Sequence, residues 1–487
     1  MFRYLPMLLL ILCSAVGAQE LRQALSLNGV WEAARVDSLG AGPGDAEWTD
    51  QVVPGTLPGG TGQAAWLRTR FHAPELPPGS RALLYFGGVK YNSEVRLNGI
   101  EVGGEFNGYD PFTLDVTDAL VGGGENELLL GCRDWTGIFS REVDLSPYAT
   151  NWTVMRGMAD DAVLGPIGGL YASFGPWDDV ELRIVPETRV EHVAITTSVR
   201  EGSIGVDYEL IGADVETRPL TLETRVLDGD EAVLDLPGAT IAGGEGDPLV
   251  ATVTADWPDA RYWSHEDPYL YQLETTLRAD GEVVDRVRTR FGFRELWIEG
   301  PDFYLNGSRI QLLASSSWPV DQRYASREDV REFWEALKAG NVVAFRTHTQ
   351  PWRRQFYEVA DEVGILVIPE GAIWNDDTSY RVNDPEFWEN YATHLERMTR
   401  QYRNNPSVVM YSLCNEFHGA ELNLENEYAT GMLAEMGHRM KDWDPTRPIT
   451  YESDGDPLGA ADVIGIHYPH EYPDYTQYPN TAWWIDG

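Results

Sequence analysis

From Leu21 to about Pro186, apolar and polar residues alternate in short runs cut by glycine-rich turns. That is the period of strands with one buried face. Arg81 to Phe86, Ser93 to Leu97 and Glu127 to Leu130 are such runs, and Asn98-Gly99 is a hairpin signal. The pattern predicts a β-sandwich of jelly-roll type over residues 19–186. Alternation persists from about Val190 to Glu295, through Val193 to Ile195, Val206 to Leu210 and Leu220 to Val226. Its length and strand spacing predict an immunoglobulin-like β-sandwich over residues 187–296.

After Trp297 the period changes to 3.6. Ser326 with Asp329 reads as an N-cap with an acid three residues on, Val330, Phe333, Trp334 and Leu337 mark one helical face, and Gly340 is the stop. Val342 to Phe345 follows as a strand. The alternation repeats with helix 352–363 and strand 365–368, then a helix capped by Asp384 with Pro385 at its first position, and then strand 408–413. Helix 427–443, strand 449–451 and strand 463–466 complete the series. With Ile310 to Ala314 as the first strand, residues 297–487 make about six β/α units of a parallel barrel. A (β/α)8 TIM barrel needs eight, so the expected fold class is multidomain: jelly roll, immunoglobulin-like sandwich, then an incomplete barrel.

Composition narrows the class of partner. The 487 residues carry 37 Lys and Arg against 77 Asp and Glu, a formal net charge of −40. Such a charge opposes nucleic acid or an anionic membrane surface and favours a neutral substrate. Residues 1–18, with Arg3, an apolar run from Leu5 to Val16 and Gly17-Ala18, read as a cleavable signal peptide too short to span a membrane. The expected location is secreted or periplasmic, with no membrane insertion once the signal is removed. Cys13 lacks the small preceding residue of a lipoprotein signal. Cys132 and Cys414 fall in different expected domains, which opposes a disulfide between them. The oligomeric state stays open, a homo-oligomer included. Asn151 and Asn306 each begin a glycosylation triplet, a pattern common by chance.

The chemistry gathers at one place. Asn404 to His418 joins a Pro, an apolar β-branched run and then Asn415-Glu416. A nearly continuous apolar run reads as a strand buried on both faces, and in a β/α barrel the C-terminal strand ends face the active-site mouth. Glu370 and Glu452 also close predicted strands; both read as structural carboxylates at the barrel rim. Glu421, Glu425 and Glu427 read as a solvated helix start, and His467 with His470 as a loop pair. No phosphate loop, dinucleotide fingerprint or metal-ligand pair of histidines stands out, so no cofactor and no metal is expected.

Several of these stretches resemble glycoside hydrolase family 2, the β-galactosidase, β-glucuronidase and β-mannosidase group. Leu27 to Trp31, Val53-Pro54-Gly55, Val95 to Gly99 and Gly108 to Thr117 resemble its sugar-binding jelly roll. Tyr262 to Tyr271 and Phe291 to Arg294 resemble its sandwich domain and junction. Phe303 to Gly307 resembles the lead-in to the barrel, and Asn404 to Glu416 the acid/base signature. The resemblance implies a retaining exo-β-glycosidase that hydrolyses terminal β-linked sugars from oligo- or polysaccharides. β-Galactosidase stands first, with β-glucuronidase and β-mannosidase as alternatives. Glu416 would be the general acid/base and Asn415 would bond the sugar 2-hydroxyl. Arg346, His348, Trp374, His467 and Tyr468 would line the substrate site.

Two departures qualify this. The family places its nucleophile on strand seven, which is expected beyond Gly487, so the chain reads as C-terminally truncated and its nucleophile as unknown. Ala314 to Trp318 stands in the loop after strand one, where many relatives carry Gly, Asn and a His-Glu pair. If the chain truly ended at Gly487, the reading from another class, a non-catalytic carbohydrate-binding or vestigial protein, would lead.

Overall fold

The computed structural model describes residues 21–40, 42–58, 64–133, 164–168, 173–212, 218–241, 248–319, 326–374, 380–417, 426–452 and 455–465. The expected signal peptide, Asn151, Glu421, Glu425, His467, Tyr468 and His470 lie outside them. Among the described residues no helix is long and apolar enough to cross a membrane.

The first β region packs a four-stranded antiparallel sheet (Gln23–Ser26, Val180–Pro186, Ser80–Phe86, Phe112–Asp115) on a six-stranded one. The alternating runs supply its core: Leu84, Phe86, Val95, Leu97, Leu128 and Leu130 are buried in one cluster. Asn98 and Gly99, both at positive φ, make the tight connection between strands Asn92–Leu97 and Ile100–Gly103, as a two-residue hairpin requires. The second β region sets Arg189–Ser198, Ser203–Ile211 and Leu249–Asp256 against a five-stranded sheet, with its own core around Tyr208, Leu222, Leu273 and Phe291.

The last region is a parallel β/α array. Its strands are β1 (Ala314–Ser317), β2 (Ala344–Thr347), β3 (Leu366–Pro369), β4 (Tyr411–Asn415), β5 (Ile449–Glu452) and β6 (Val463–Ile464). Strands β1 to β3 pair in parallel, as do β4 to β6. Bridges Val367–Val408, Glu370–Ser412 and Trp374–Asn415 join the two groups. The helices are α1 (Arg327–Ala339), α2 (Arg354–Val363), α3 (Pro385–Tyr402) and α4 (Glu427–Trp443). Ser326 and Asp329 form a reciprocal capping box on α1, and the Asp384 side chain accepts from the Glu386 N–H of α3.

The first barrel strand is displaced from its expected place. Ile310 ends an antiparallel strand, Ser308–Ile310, which pairs with Asp302–Leu305, and β1 is Ala314–Ser317. The Ser run is thus a strand and not a loop. It carries no apolar signal because small polar side chains occupy it.

The β regions do not stand apart from the barrel. Tyr91, Phe106, Tyr109, Leu164, Ile167 and Trp177 share one buried cluster with Trp352, Tyr391 and Leu413. From the second region Arg294, buried and with its guanidinium lowered to about 9 chiefly by burial, donates to the Pro406 carbonyl at 3.1 Å and the Val408 carbonyl at 2.5 Å. Trp263 donates its indole N–H to the Asp361 carbonyl at 2.8 Å. Below the strands' N-terminal ends a cleft of about 720 Å³ opens between Trp297, Arg200, Arg403 and Arg447, on the face opposite Glu416. Cys132 and Cys414 are both buried, and no disulfide joins them.

Candidate active site

Three adjacent strand ends converge. Arg346 lies on β2, Glu370 directly follows β3, and Asn415 closes β4. One guanidinium nitrogen, Arg346 Nη1, donates to Glu370 Oε2 at 2.6 Å and to Asn415 Oδ1 at 2.9 Å. Ser412 donates to the same Glu370 oxygen at 2.7 Å. Glu370 and Asn415 are buried. With its Oδ1 held by Arg346, Asn415 leaves its amide N–H₂ as the group turned to other partners, a donor suited to a sugar hydroxyl.

The charges at this junction are unequal. Arg346 also lies 3.9 Å from Glu452 on β5, and the Glu416 charge acts on it as well. Burial alone would lower the Arg346 guanidinium; Glu370, Glu452 and Glu416 reverse that and raise it. Burial pushes the Glu370 carboxyl from its ordinary 4.5 up to about 7, against the opposing pull of Arg346 and with help from the Glu452 charge. Even with Glu370 protonated below pH of about 7, one cation beside the Glu452 and Glu416 carboxylates leaves a negative local field, which favours positive charge developing on a sugar ring.

Glu416 itself is conformationally unusual. It has φ +51°, a left-handed value for a residue with a full side chain, and its N–H donates to the Glu452 carbonyl at 2.8 Å. Such a backbone costs about 1–3 kcal/mol and persists where surrounding structure enforces it. The enforcement comes from both sides: Asn415 N–H bonds the Ile373 carbonyl at 3.2 Å, and buried Phe417 packs against Tyr380 and Trp388.

An aromatic wall stands beside these groups. Trp318, which follows β1, meets Trp374 edge-on at 5.1 Å between ring centroids and His348 at 4.6 Å. The Trp374 backbone N–H donates to the Tyr380 hydroxyl at 3.1 Å, and the Trp374 backbone bridges to Asn415. The structure therefore brings Glu416, Asn415, Arg346 and Trp374 around one mouth and places His348 against the aromatic wall. Trp318 and Glu370 were not among the expected substrate contacts. Glu370 was read as a rim carboxylate; it is fully buried and ties Arg346 to Ser412. Trp318 ended a stretch read as a loop, and a lone Trp after serines gives no periodic signal.

Two family domain models match this chain: glycosyl hydrolases family 2, TIM barrel domain, over residues 295–485, and glycosyl hydrolases family 2 over residues 188–294. The chain belongs to glycosyl hydrolase family 2. Among curated relatives, the β-glucuronidase of Paenibacillus borealis is 27% identical over 467 residues, 88% of this chain and 73% of that protein. The β-galactosidase of Alteromonas mediterranea is 25% identical over 86% of this chain and 37% of its own length. The β-glucuronidase of Felis catus is 27% identical over 82% of this chain, which spans 61% of that protein. This family 2 chain thus spans between about a third and three quarters of these three relatives. Among solved structures, the Ruminococcus gnavus β-glucuronidase with uronic isofagomine superposes with TM-score 0.72 at 22% identity over 90% of this chain and 74% of that one. A family 2 member from Bacteroides cellulosilyticus gives TM-score 0.72 at 22% identity, over 91% and 58%. At these identities the likeness is one of fold.

Proposed function

We propose that this family 2 chain carries the acid/base half of a retaining exo-β-glycosidase that removes terminal β-linked sugars. The observation that carries the reading is the Arg346 guanidinium joining Glu370 to Asn415, one residue before Glu416. In this reading Glu416 protonates the leaving oxygen and later takes a proton from water. Asn415, oriented by Arg346, donates to the sugar hydroxyl next to the reacting carbon. Trp318 and Trp374 present an apolar wall to the sugar's CH face. The second carboxylate of a retaining pair lies about 5–5.5 Å from the first, and it is assigned to none of the described residues. Glu370 is buried under Arg346 and Ser412, and Glu452 is engaged at the rim.

The proposal includes a jelly-roll sugar-binding unit (19–186), an immunoglobulin-like unit (187–296), the barrel region (297–487), and export through the leader. A neutral terminal sugar such as β-galactose is favoured because Arg346 is already committed to Glu370 and Asn415, and so is not poised to take a uronate carboxylate. The second reading, a β-glucuronide, is favoured by the greater share of the P. borealis β-glucuronidase that this chain spans. Hydrolysis of 4-nitrophenyl β-galactoside, β-glucuronide and β-mannoside, by a protein that carries this chain together with the second carboxylate, decides between them. Galactoside turnover that disappears in Glu416→Gln supports the proposal. Turnover of glucuronide alone transfers it to the second reading. If none of the three is cleaved and the sugars still bind, the chain is a carbohydrate-binding protein.

A further inference from the structure

Among the described residues, the loop after β3 is held by the first β region through a path the chemistry above does not use. Asp110 and His394 are both fully buried, and Asp110 Oδ1 lies 2.5 Å from His394 Nδ1. Across the ring, His394 Nε2 receives the Ala372 N–H at 3.0 Å. A backbone N–H only donates, so Nε2 holds the lone pair and Nδ1 carries the proton given to Asp110. The imidazole is thereby fixed in one tautomer and one orientation. The Ala372 carbonyl accepts from Gly168 N–H at 2.9 Å. Both backbone polar groups of Ala372 are therefore set by groups outside its own strand.

Ala372 sits midway between Glu370 and Trp374. The segment has little room to relax, because a Cβ on Gly371 would lie 2.4 Å from the Tyr391 hydroxyl and 2.5 Å from the Leu413 carbonyl. The same part of the first β region grips helix α3 elsewhere. Asn107 donates to the Asn390 carbonyl at 3.0 Å, Asn390 donates to the Leu164 carbonyl at 2.8 Å, and Arg397 donates to Glu105 at 2.8 Å. Asp110 is thus presented by a docked surface.

We propose that Asp110, through His394, is a positioning residue for the active-site mouth: it locks the imidazole that holds the Ala372 N–H, and so sets where Glu370 and Trp374 stand. The first β region then works as a wall of the catalytic site as well as a neighbour of it. This rests on reading Glu370, Arg346, Asn415 and Trp374 as the sugar-handling group. Arg346 is displaced with Glu370, to which it donates, and Asn415 with Arg346, from which it accepts.

The test uses the whole chain with 5-fluorotryptophan, the Trp374 ¹⁹F signal being assigned by Trp374→Phe. Asp110→Ala frees the ring and moves or splits that signal. Asp110→Asn, whose Oδ1 still accepts from Nδ1–H, restores it. Where glycoside turnover is measured, Asp110→Ala loses on the order of a hundredfold in kcat/KM, the scale of a misplacement of about 1 Å, and Asp110→Asn recovers most of it. A Trp374 signal unmoved by Asp110→Ala overturns the proposal. So does a ¹⁵N spectrum of the unsubstituted chain with the His394 proton on Nε2, a result that needs no variant to fold. If the Trp374 signal moves and returns as expected while no glycoside is cleaved even when the second carboxylate is supplied, the positioning role stands and the glycosidase reading fails.

Discussion

Glu370 offers a prediction in which stability and activity move in opposite directions. Its carboxyl stands at about 7 in the folded chain against an ordinary 4.5, with burial as the leading cause. Between those values the folded state keeps a proton that the unfolded state has released. Stability therefore falls as pH rises through that window. The difference is worth about 3 kcal/mol, fully expressed above pH of about 7 and absent below about 4.5. Glu370→Gln keeps the shape and an acceptor for Arg346 and Ser412 but cannot ionise. Relative to the parent, the variant should gain about 3 kcal/mol as pH is raised from 4.5 to 8. That corresponds to roughly 6–12 °C in the barrel transition. Calorimetric melting of both proteins across that range, compared as a difference, cancels the other titrating groups. Above pH of about 7 the same substitution replaces an ion pair with Arg346 by a guanidinium bond to a neutral amide oxygen, weaker by about 1–2 kcal/mol. Asn415 is then held less firmly, and kcat/KM should drop on the order of tenfold. A parent-to-variant melting difference that stays constant with pH, or that favours the parent at high pH, would refute the reasoning.

Asn415→Ala should lower kcat on the order of a hundredfold and change KM by about threefold at most, because its contact strengthens in the transition state; steady-state kinetics separates the two. Trp374→Ala should instead raise KM on the order of tenfold by removing part of the aromatic wall, as a titration with a non-hydrolysable glycoside would show. Gly371→Ala should destabilise the barrel by about 1–3 kcal/mol, read by urea unfolding, since the new methyl meets the Tyr391 hydroxyl and the Leu413 backbone.

Legibility in the sequence followed the physics of each signal. The starts of α1 and α3 could be placed from Ser326 with Asp329 and from Asp384-Pro385, because capping is local. Asn415 and Glu416 could be placed at a strand end because an apolar β-branched run led to them. Strand β1 was misplaced because Ser315, Ser316 and Ser317 give a parallel strand no hydrophobic pattern. Glu370 was underrated for a different reason. Its burial is set by Arg346 and Ser412, which lie 24 and 42 residues away. The Asp110–His394 contact spans 284 residues, and no local pattern announces a hydrogen bond between a β-region loop and a barrel helix.

With Glu416 as acid/base, a terminal β-sugar leaves with retention of its anomeric configuration. Real-time ¹H NMR of the sugar released from an aryl β-glycoside checks this, run with a protein that carries this chain together with the second carboxylate and with its Glu416→Gln variant. The β-anomer should appear first, and the variant should release it on the order of 10²–10⁴-fold more slowly. First appearance of the α-anomer, or equal rates for parent and variant, would contradict it.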